Sequence, residues 1–347
     1  MRHNNSMKKF INLFIPLFII ILISLITLYD YDKTYFYKQL IWIILGLSLL
    51  FSGKFLKVDK IFKYSKYLYF FNVILLFLVL IFGKEINGSK AWFDFKIFSF
   101  QPSELMKLSL TLYLVECFFK KEKLYFFKSL IILLVPSILV FLEPDTGAII
   151  MYLVIYASLL FYVNKNKFLY LLLLLGFILI GIIIFLYFYN VDILISILGT
   201  SIFYRMDRLI NFKNNYQLEN AMISMGTTSF FGRTHPMLYI PESVTDFIYA
   251  RIVSLYGFII GIIILLCYFF ILISISKEIK NKNKKALFIN AFFWLFIFQI
   301  FQNIFMNIGL IPIMGIPVPF LSYGGSNTII YFIFLTLILN KKESDFN

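Results

Sequence analysis

Charged residues are scarce in this chain, at 14% of 347 residues, whereas a typical soluble domain has about 25%. Hydrophobic residues make up 61% of the chain, against about 45–50% in a soluble domain. A soluble fold of this length cannot bury so much apolar surface, so lipid has to solvate much of it. The shortage of charge therefore predicts an integral membrane protein.

Cysteine and histidine are nearly absent. The two cysteines, Cys117 and Cys267, both lie inside apolar runs, which argues against a disulfide framework. The two histidines, His3 and His235, are too few for a Cys/His metal site. We therefore predict no metal site and no cofactor. Whether a divalent cation assists cannot be read from these residues.

The net charge of +14 comes mainly from lysines that lie in short clusters between apolar runs. In a soluble protein such a charge would suggest a nucleic-acid partner. Here the clusters follow the pattern that sets the orientation of membrane helices, with basic residues on the cytoplasmic side. The charge therefore predicts membrane topology and no nucleic-acid partner.

Ten apolar runs are long enough to span a bilayer. They lie at about 10–29, 37–53, 66–83, 102–119, 126–142, 147–164, 168–190, 247–274, 287–308 and 325–340. With the N-terminus inside, every short inner loop is basic. The sequence predicts an all-α integral membrane protein of about ten transmembrane helices. Residues 1–347 form a single polytopic membrane domain with both termini in the cytoplasm.

Two outer loops, at about 84–101 and 191–246, are too long to be simple connectors. A third outer segment, 309–324, is rich in proline and glycine. The long loops keep aromatic and aliphatic residues, so we expect ordered, partly membrane-embedded segments. Irregular backbone at membrane depth is tolerated only where protein buries it or a cavity solvates it. The third segment therefore indicates the wall of a site.

Ionisable groups at the edge of apolar runs are candidates for function. Glu104 and Lys107 lie three residues apart in the first turns of the fourth run and can share a helix face with Ser103. One interpretation is a helix cap with an intrahelical ion pair. The other is a membrane-edge cation that meets an anionic ligand.

Glu242 and Asp246 lie where the long outer loop re-enters the membrane. Asp246 either favours the helix N-terminus electrostatically or, being partly desolvated, acts as a general base. Asp145 lies in a tight turn, most often a structural position. Arg205 and Arg208 lie three residues apart; they could bind a phosphate bidentately, although solvated loop arginines are the commoner case.

Five motifs, taken together and in order, resemble the SEDS family (shape, elongation, division and sporulation) of bacterial membrane proteins, which includes RodA and FtsW. They are GSKAW at 88–92, FQPSELMK at 100–107, EPDTG at 143–147, PESVTDFI at 241–248 and PFLSYGGS at 319–326. The resemblance implies a SEDS-type fold. It also implies an inverting peptidoglycan glycosyltransferase that polymerises lipid II at the outer face of the bacterial cytoplasmic membrane.

The resemblance also assigns roles. Asp246 matches the family's essential aspartate and is the expected general base. Lys107, Arg205 and Arg208 are candidates to stabilise the departing pyrophosphate, and Lys107 alternatively pairs with Asp246 and tunes its pKa. The remaining expected substrate-binding residues are Gln101, Glu104 and Asp145, which would shape the cavity, Trp92, which would pack on a sugar or the isoprenoid chain, and Glu242 and Ser322.

The implied partners are lipid II (an undecaprenyl-pyrophosphate-linked disaccharide peptide), a class B penicillin-binding protein and the membrane proteins of the elongation machinery. Residues 315–320, GIPVPF, and the short termini resemble RodA and favour a role in cell elongation and rod shape. An FtsW-like division polymerase is the alternative within the family. A lipid II transporter (flippase) and a non-catalytic scaffold are the alternatives outside this activity.

Three positions depart from the family pattern. Ala91 and Ser99 stand where the family commonly has basic residues, and the stretch 226–232, GTTSFFG, has fewer glycines than usual. The first two changes remove positive charge from the outer surface, so contacts to lipid II cannot be copied from relatives.

Overall fold

The computed structural model of the protein is predominantly helical. It describes residues 2–86, 89–95, 98–121, 123–163, 187, 193, 195–196, 199–212, 215–279 and 283–340. Its first helices are α1 (Arg2–Tyr31), α2 (Lys33–Ser52), α3 (Val58–Lys63), α4 (Ser65–Phe82), α5 (Pro102–Lys120), α6 (Tyr125–Leu142) and α7 (Thr146–Val163). They are followed by α8 (Thr200–Ile210), α9 (Tyr216–Gly226), α10 (Ile248–Tyr256), α11 (Phe258–Ser276), α12 (Lys284–Asn307) and α13 (Gly325–Leu339).

Seven helical segments of the described part are long and apolar enough to cross a membrane. They are Asn12–Tyr31 within α1, together with α2, α4, α6, α7, α11 and α12. Two more predicted runs are also helices, α5 and the shorter apolar α13. The predicted run 168–190 lies outside the described residues except for Tyr187. The prediction of a multi-pass, all-α membrane fold is confirmed.

Helix α5 occupies the centre of the fold, and almost all of its side chains are buried. It packs against α4, α6, α7, α12 and α13. Because protein surrounds it, α5 can carry polar side chains that lipid would not tolerate. One of them, Ser109, receives a hydrogen bond of 3.3 Å from the side-chain amide of Asn72 on α4. This central position explains why α5 is less apolar than the helices around it.

The predicted run 247–274 is two helices, because the chain breaks at Gly257 between α10 and α11. Gly257 has φ +91°, and a Cβ there would lie 2.3 Å from the carbonyl oxygen of Phe230 and 2.5 Å from the nitrogen of Gly232. Those residues belong to the hairpin of β4 (Thr228–Ser229) and β5 (Gly232–Arg233). The long outer loop therefore folds back onto this break, and the single-helix prediction was wrong here.

The first outer loop contains a small antiparallel sheet. Strand β1 (Lys84–Ile86) pairs with β2 (Ser89–Asp94), which pairs with β3 (Ser99–Phe100). The hydroxyl of Ser89 donates a hydrogen bond to the carbonyl oxygen of Glu143 in the α6–α7 turn. The expectation that this loop is ordered is confirmed for its described residues, and the sheet brings β2 over the α6–α7 turn.

Helix α1 contacts segment 309–324, and α2 contacts both this segment and the last helix. The hydroxyl of Ser24 on α1 donates a hydrogen bond of 2.6 Å to the carbonyl oxygen of Leu321. Gln39 on α2 donates to the hydroxyl of Thr328 on α13 at 3.0 Å and accepts from the backbone nitrogen of Gly324 at 3.2 Å. These bonds close the fold by joining segments from opposite ends of the chain.

Candidate functional site

The α6–α7 turn presents Asp145 to the start of α5. One carboxylate oxygen of Asp145 accepts hydrogen bonds from the side-chain amide of Gln101 at 3.0 Å and the hydroxyl of Ser103 at 3.3 Å. The other oxygen accepts from the backbone nitrogen of Ala148 at 3.0 Å, in the first turn of α7. Asp145 therefore caps α7 and also joins α7 to α5.

Glu104 and Lys107 form a buried ion pair on α5. The ammonium nitrogen of Lys107 lies 2.6 Å from a carboxylate oxygen of Glu104, and the side chains are 0% and 6% exposed respectively. The same ammonium lies 5.3 Å from the ring centroid of Tyr331 on α13. The structure thus contains the intrahelical ion pair that is one of the two interpretations of this motif.

Asp246 lies in a tight turn immediately before α10. The backbone nitrogens of Thr245 and Phe247 both donate to the carbonyl oxygen of Glu242, at 3.2 and 3.0 Å. The hydroxyl of Thr245 also donates to the Glu242 carboxylate at 2.7 Å. Glu242 has φ +54°, a conformation that few side chains adopt without support from their surroundings. The turn leaves the Asp246 side chain half-buried.

Two asparagines on α12 form hydrogen bonds with this turn. The side-chain amides of Asn303 and Asn307 donate hydrogen bonds to the carbonyl oxygen of Asp246 at 2.9 and 3.0 Å. The side-chain oxygen of Asn307 accepts from the backbone nitrogen of Ala250 at 2.9 Å. Asn303 also donates to the carbonyl oxygen of Ile316 at 2.9 Å. These residues are absent from the predicted site, although two amides four residues apart in an apolar helix were a usable signal.

The proline- and glycine-rich segment 309–324 is held by side chains from several helices. Its carbonyl oxygens accept hydrogen bonds from Ser24, Tyr268, Gln299, Gln302 and Asn303. These hydrogen bonds satisfy carbonyl groups of an irregular backbone segment that protein buries. Such satisfaction is required at membrane depth. The prediction of an ordered wall is consistent with this arrangement.

Ser322 joins segment 309–324, here named the wall segment, to the Asp246 turn by hydrogen bonds. Its hydroxyl donates to the carbonyl oxygen of Thr245 at 2.6 Å and accepts from the backbone nitrogen of Val318 at 2.9 Å. The backbone nitrogen of Tyr323 donates to the carbonyl oxygen of Val244 at 2.8 Å. Ser322 is buried at 1% exposure, so its hydroxyl positions backbone in this structure.

Residues 314–316 contact both aspartate-bearing turns. A Cβ on Gly315 would lie 3.7 Å from a carboxylate oxygen of Asp246. A Cβ on Gly147, two residues after Asp145, would lie 2.6 Å from the carbonyl oxygen of Met314. The wall segment therefore runs between Asp145 and Asp246. Gly147 allows the close approach of Met314, and Gly315 supplies the left-handed backbone conformation beside Asp246.

The surroundings of these turns raise the pKa values of their carboxyl groups. Burial, reinforced by the charges of Glu242 and Asp145, raises the pKa of Asp246 from 3.8 to about 7. Burial also raises the pKa of Asp145, and it raises the pKa of Glu143 to about 9 with a contribution from the Asp145 charge. A half-buried carboxyl group with a pKa near neutrality can accept a proton during a reaction at physiological pH.

The remaining predicted residues are placed as follows. Trp92 is half-buried in β2, opposite Lys84 of β1. Arg205 and Arg208 belong to α8, but their side chains lie outside the described part of the structure. Lys107 is paired with Glu104, and its charge acts on Asp145. The alternative expectation that Lys107 pairs with Asp246 and tunes its pKa is therefore wrong. The structure thus brings Gln101, Glu104, Lys107 and Asp145 into one group, with Asp246, Glu242 and Ser322 in a second group across the wall segment.

Comparison with known proteins identifies relatives over nearly the whole chain. A family model described as FtsW/RodA/SpoVE, cell cycle protein, matches residues 4–345. A protein of Wigglesworthia glossinidia brevipalpis named "Probable peptidoglycan glycosyltransferase FtsW" is 30% identical, and the match covers 91% of this chain and 85% of that protein. A Haemophilus influenzae protein of the same name is 31% identical over 86% of this chain and 79% of its own length.

Two solved structures share the fold. One is a chain from a peptidoglycan synthase complex described as coordinating polymerization and crosslinking, with a TM-score of 0.79 and 23% identity over 94% of this chain and 95% of that one. The other is the rod shape determining protein RodA of Thermus thermophilus, with a TM-score of 0.70 and 24% identity over 95% of each chain. The cited sequence relatives carry the FtsW name, which does not support the RodA-like interpretation of segment 315–320.

Proposed function

This chain belongs to the FtsW/RodA/SpoVE family of cell cycle proteins, and we propose that it polymerises lipid II into glycan strands as a peptidoglycan glycosyltransferase. The observation that carries the proposal is Asp246, a half-buried carboxyl group with a pKa of about 7 in a turn held by backbone hydrogen bonds. The names of the sequence relatives support the same activity.

In the proposed reaction, Asp246 accepts the proton of the attacking sugar hydroxyl. That oxygen forms a bond to the anomeric carbon of the donor, and the bond between this carbon and the pyrophosphate oxygen breaks. Direct displacement inverts the anomeric centre. General-base catalysis of this kind contributes about 10²–10⁴-fold to the rate. The hydrogen bonds to the carbonyl oxygen of Asp246 and the tight turn hold its carboxyl group in position. Catalysis by proximity requires such positioning.

The departing pyrophosphate requires positive charge. Arg205 and Arg208 on α8 are the proposed ligands. Lys107 is the third candidate, and its ion pair with Glu104 limits this role to a state in which the pair opens. We assign Gln101 and Asp145 to shaping the substrate cavity, since their side chains are hydrogen-bonded to each other. Trp92 in β2 is the proposed contact for a sugar or the isoprenoid chain.

The proposal includes location and partners. Basic loops between the apolar segments support a cytoplasmic membrane protein with both termini inside and the Asp246 turn outside. A class B penicillin-binding protein that crosslinks the product is the proposed partner, as the synthase complex with the same fold suggests. The names of the relatives favour a role in division, and segment 315–320 favours elongation with its membrane machinery. Complementation of cells depleted of FtsW or of RodA distinguishes the two roles.

The test is a polymerisation assay with the purified protein, its penicillin-binding partner and labelled lipid II. Wild type should form glycan chains, and Asp246→Asn should form none while inserting and folding normally. Glu219→Gln, an exposed carboxyl change in the same long outer loop, should remain active. Equal polymer from wild type and Asp246→Asn would refute the role of Asp246.

The same assay addresses the other classes of function. If neither protein polymerises verified lipid II with the partner bound, a non-catalytic scaffold or a transporter becomes the better explanation. A transporter also predicts that lipid II fails to reach the outer leaflet in vesicles that carry the Asp246→Asn protein.

A further inference from the structure

An apolar groove with basic residues at its rim lies on the membrane face opposite the candidate site. Its walls are α4 and α6, and its floor is the ring of Tyr113 on α5. Helices α4 and α6 begin, and α5 ends, at this face, whereas the Asp145 turn follows the other end of α6. About 27 Å of helix separates the two ends of α6, so the groove is distinct from the candidate site.

The groove has the size and lining of a ligand site. Its volume is about 360 Å³, within the range of about 300–1,000 Å³ that small-molecule sites occupy. Tyr69, Phe70 and Ile131 line it, and the hydroxyl of Tyr69 is satisfied by the carbonyl oxygen of Ile132 at 2.9 Å. The interior therefore offers apolar surface, which suits a hydrocarbon chain.

Lysines outnumber acidic residues in the segment that contributes to the rim of the groove, since residues 120–128 read KKEKLYFFK. Lys123 and Lys128 belong to its lining, and the ammonium of Lys66 lies 5.9 Å from the ring centroid of Phe70, another lining residue. The first turn of α6 at this rim contains no acidic residue, and its N-cap residue Leu124 provides no side-chain hydrogen bond. The positive end of the helix dipole adds to the lysine charges.

A second groove that faces lipid has a different lining. It lies along α1, has a volume of about 300 Å³, and is lined by Phe18, Ile21, Leu22, Leu25, Ile26, Tyr29 and Phe36, without a basic residue. Both grooves offer apolar surface to lipid. Of the two, the groove between α4 and α6 has lysines among its lining residues, whereas at the α1 groove a single lysine, Lys33, lies beside the lining with its ammonium 5.7 Å from the ring centroid of Tyr29.

We propose that the groove between α4 and α6 binds an anionic phospholipid, with an acyl chain against Tyr69 and Ile131 and the phosphate near Lys123 and Lys128. Basic pockets between membrane helices are typical sites for anionic headgroups, because each lysine near the surface contributes favourably. The exposed side chains of Phe127 and Ile131 leave the groove open to the bilayer, so the lipid can enter sideways. This site is independent of the proposed enzymatic activity.

The test is native mass spectrometry of the purified full-length chain with phosphatidylglycerol or phosphatidylcholine. We expect selective retention of phosphatidylglycerol by wild type. The double variant Lys123→Gln/Lys128→Gln should lose affinity by about fivefold per lysine. Ile131→Trp, which fills the groove and leaves the charges unchanged, should also bind less. The matched control Lys57→Gln/Lys60→Gln removes two exposed lysines at the same face that do not line the groove, and it should retain the lipid.

Three results would overturn the proposal. Equal retention of the two lipids by wild type would show no headgroup selectivity. Equal loss in the groove and control variants would indicate only the general charge of this face. Displacement of phosphatidylglycerol by millimolar inorganic phosphate would indicate a site for free anions. Thermal unfolding of each variant in detergent verifies that a loss of lipid does not reflect a loss of fold.

Discussion

Asn303 on α12 donates a hydrogen bond of 2.9 Å to the carbonyl oxygen of Asp246, 57 residues earlier in the chain. The same amide group binds the carbonyl oxygen of Ile316 at 2.9 Å. One side chain therefore sets the spacing between the Asp246 turn and the wall segment. Asn303 acts on the candidate base through backbone, so it is a positioning residue.

Replacement of Asn303 by leucine should reduce polymerisation more than it reduces stability. The change removes the amide donor to the buried carbonyl oxygen of Ile316, which costs about 1–3 kcal/mol. It also removes one of the two amide donors to the carbonyl oxygen of Asp246, leaving only that of Asn307. The matched control is Asn290→Leu on the same helix, whose amide donates to the carbonyl oxygen of Ser158 at 3.0 Å, away from the site. Both variants should have similar melting temperatures, and only Asn303→Leu should lose kcat. Equal losses of kcat would show that Asn303 contributes only to stability.

Replacement of Gly315 by valine should lower activity sharply. Gly315 has φ +63°, and a Cβ would stand 3.7 Å from a carboxylate oxygen of Asp246. A β-branched side chain is strained in this left-handed conformation, and its methyl groups would occupy the approach to the carboxylate. The control is Gly226→Val, since a Cβ at Gly226 meets no atom within 4 Å. Polymerisation assays on both variants test this, and a fully active Gly315→Val would contradict the assigned place of Asp246.

The polymerisation rate should rise with pH and level off above about 7, because a general base must be deprotonated and burial raises the pKa of Asp246 to about 7. The charge of Glu242 contributes to that rise. Glu242→Gln should therefore lower the pKa and shift the profile of kcat/KM to lower pH. Glu219→Gln should leave the profile in place. A shift to higher pH in Glu242→Gln would refute the electrostatic coupling.

The buried pair of Glu104 and Lys107 can be tested by single and double replacement. Lys107→Met leaves a buried, unpaired carboxylate and should cost about 3–5 kcal/mol of stability, measured as a lower melting temperature in detergent. Glu104→Gln/Lys107→Met should recover most of that loss. If the double variant is stable but inactive, Lys107 serves the substrate; if it polymerises normally, the pair is structural and the substrate role of Lys107 is wrong.

Local spacing made part of this protein predictable from its sequence. Long apolar runs indicated the membrane helices, and a separation of three residues indicated the ion pair of Glu104 and Lys107 as one of two interpretations. Both features depend on residues that are neighbours along the chain, where periodicity and helix geometry apply directly.

Features that depend on distant segments were not predictable in this way. The bonds from Asn303 and Asn307 to Asp246 require α12 to lie under a turn about 60 residues away. The break at Gly257 also has a distant cause, since the hairpin near Phe230 occupies the space of a Cβ there. An apolar run that contains two glycines, Gly257 and Gly261, looks continuous until that hairpin is placed.

The bonds that join α1 to the wall segment and α2 to α13 can form only late in the synthesis of the chain. Ser24 and Gln39 enter the membrane early, and their partners Leu321 and Thr328 are translated 297 and 289 residues later. Throughout that interval the side chains of Ser24 and Gln39 lack these hydrogen-bond partners. The contacts between the wall segment and the Asp246 turn, such as the bond from Ser322 to Thr245, are likewise complete only when the ribosome has nearly released the chain. A membrane insertase or chaperone that shields the early helices would act in that interval.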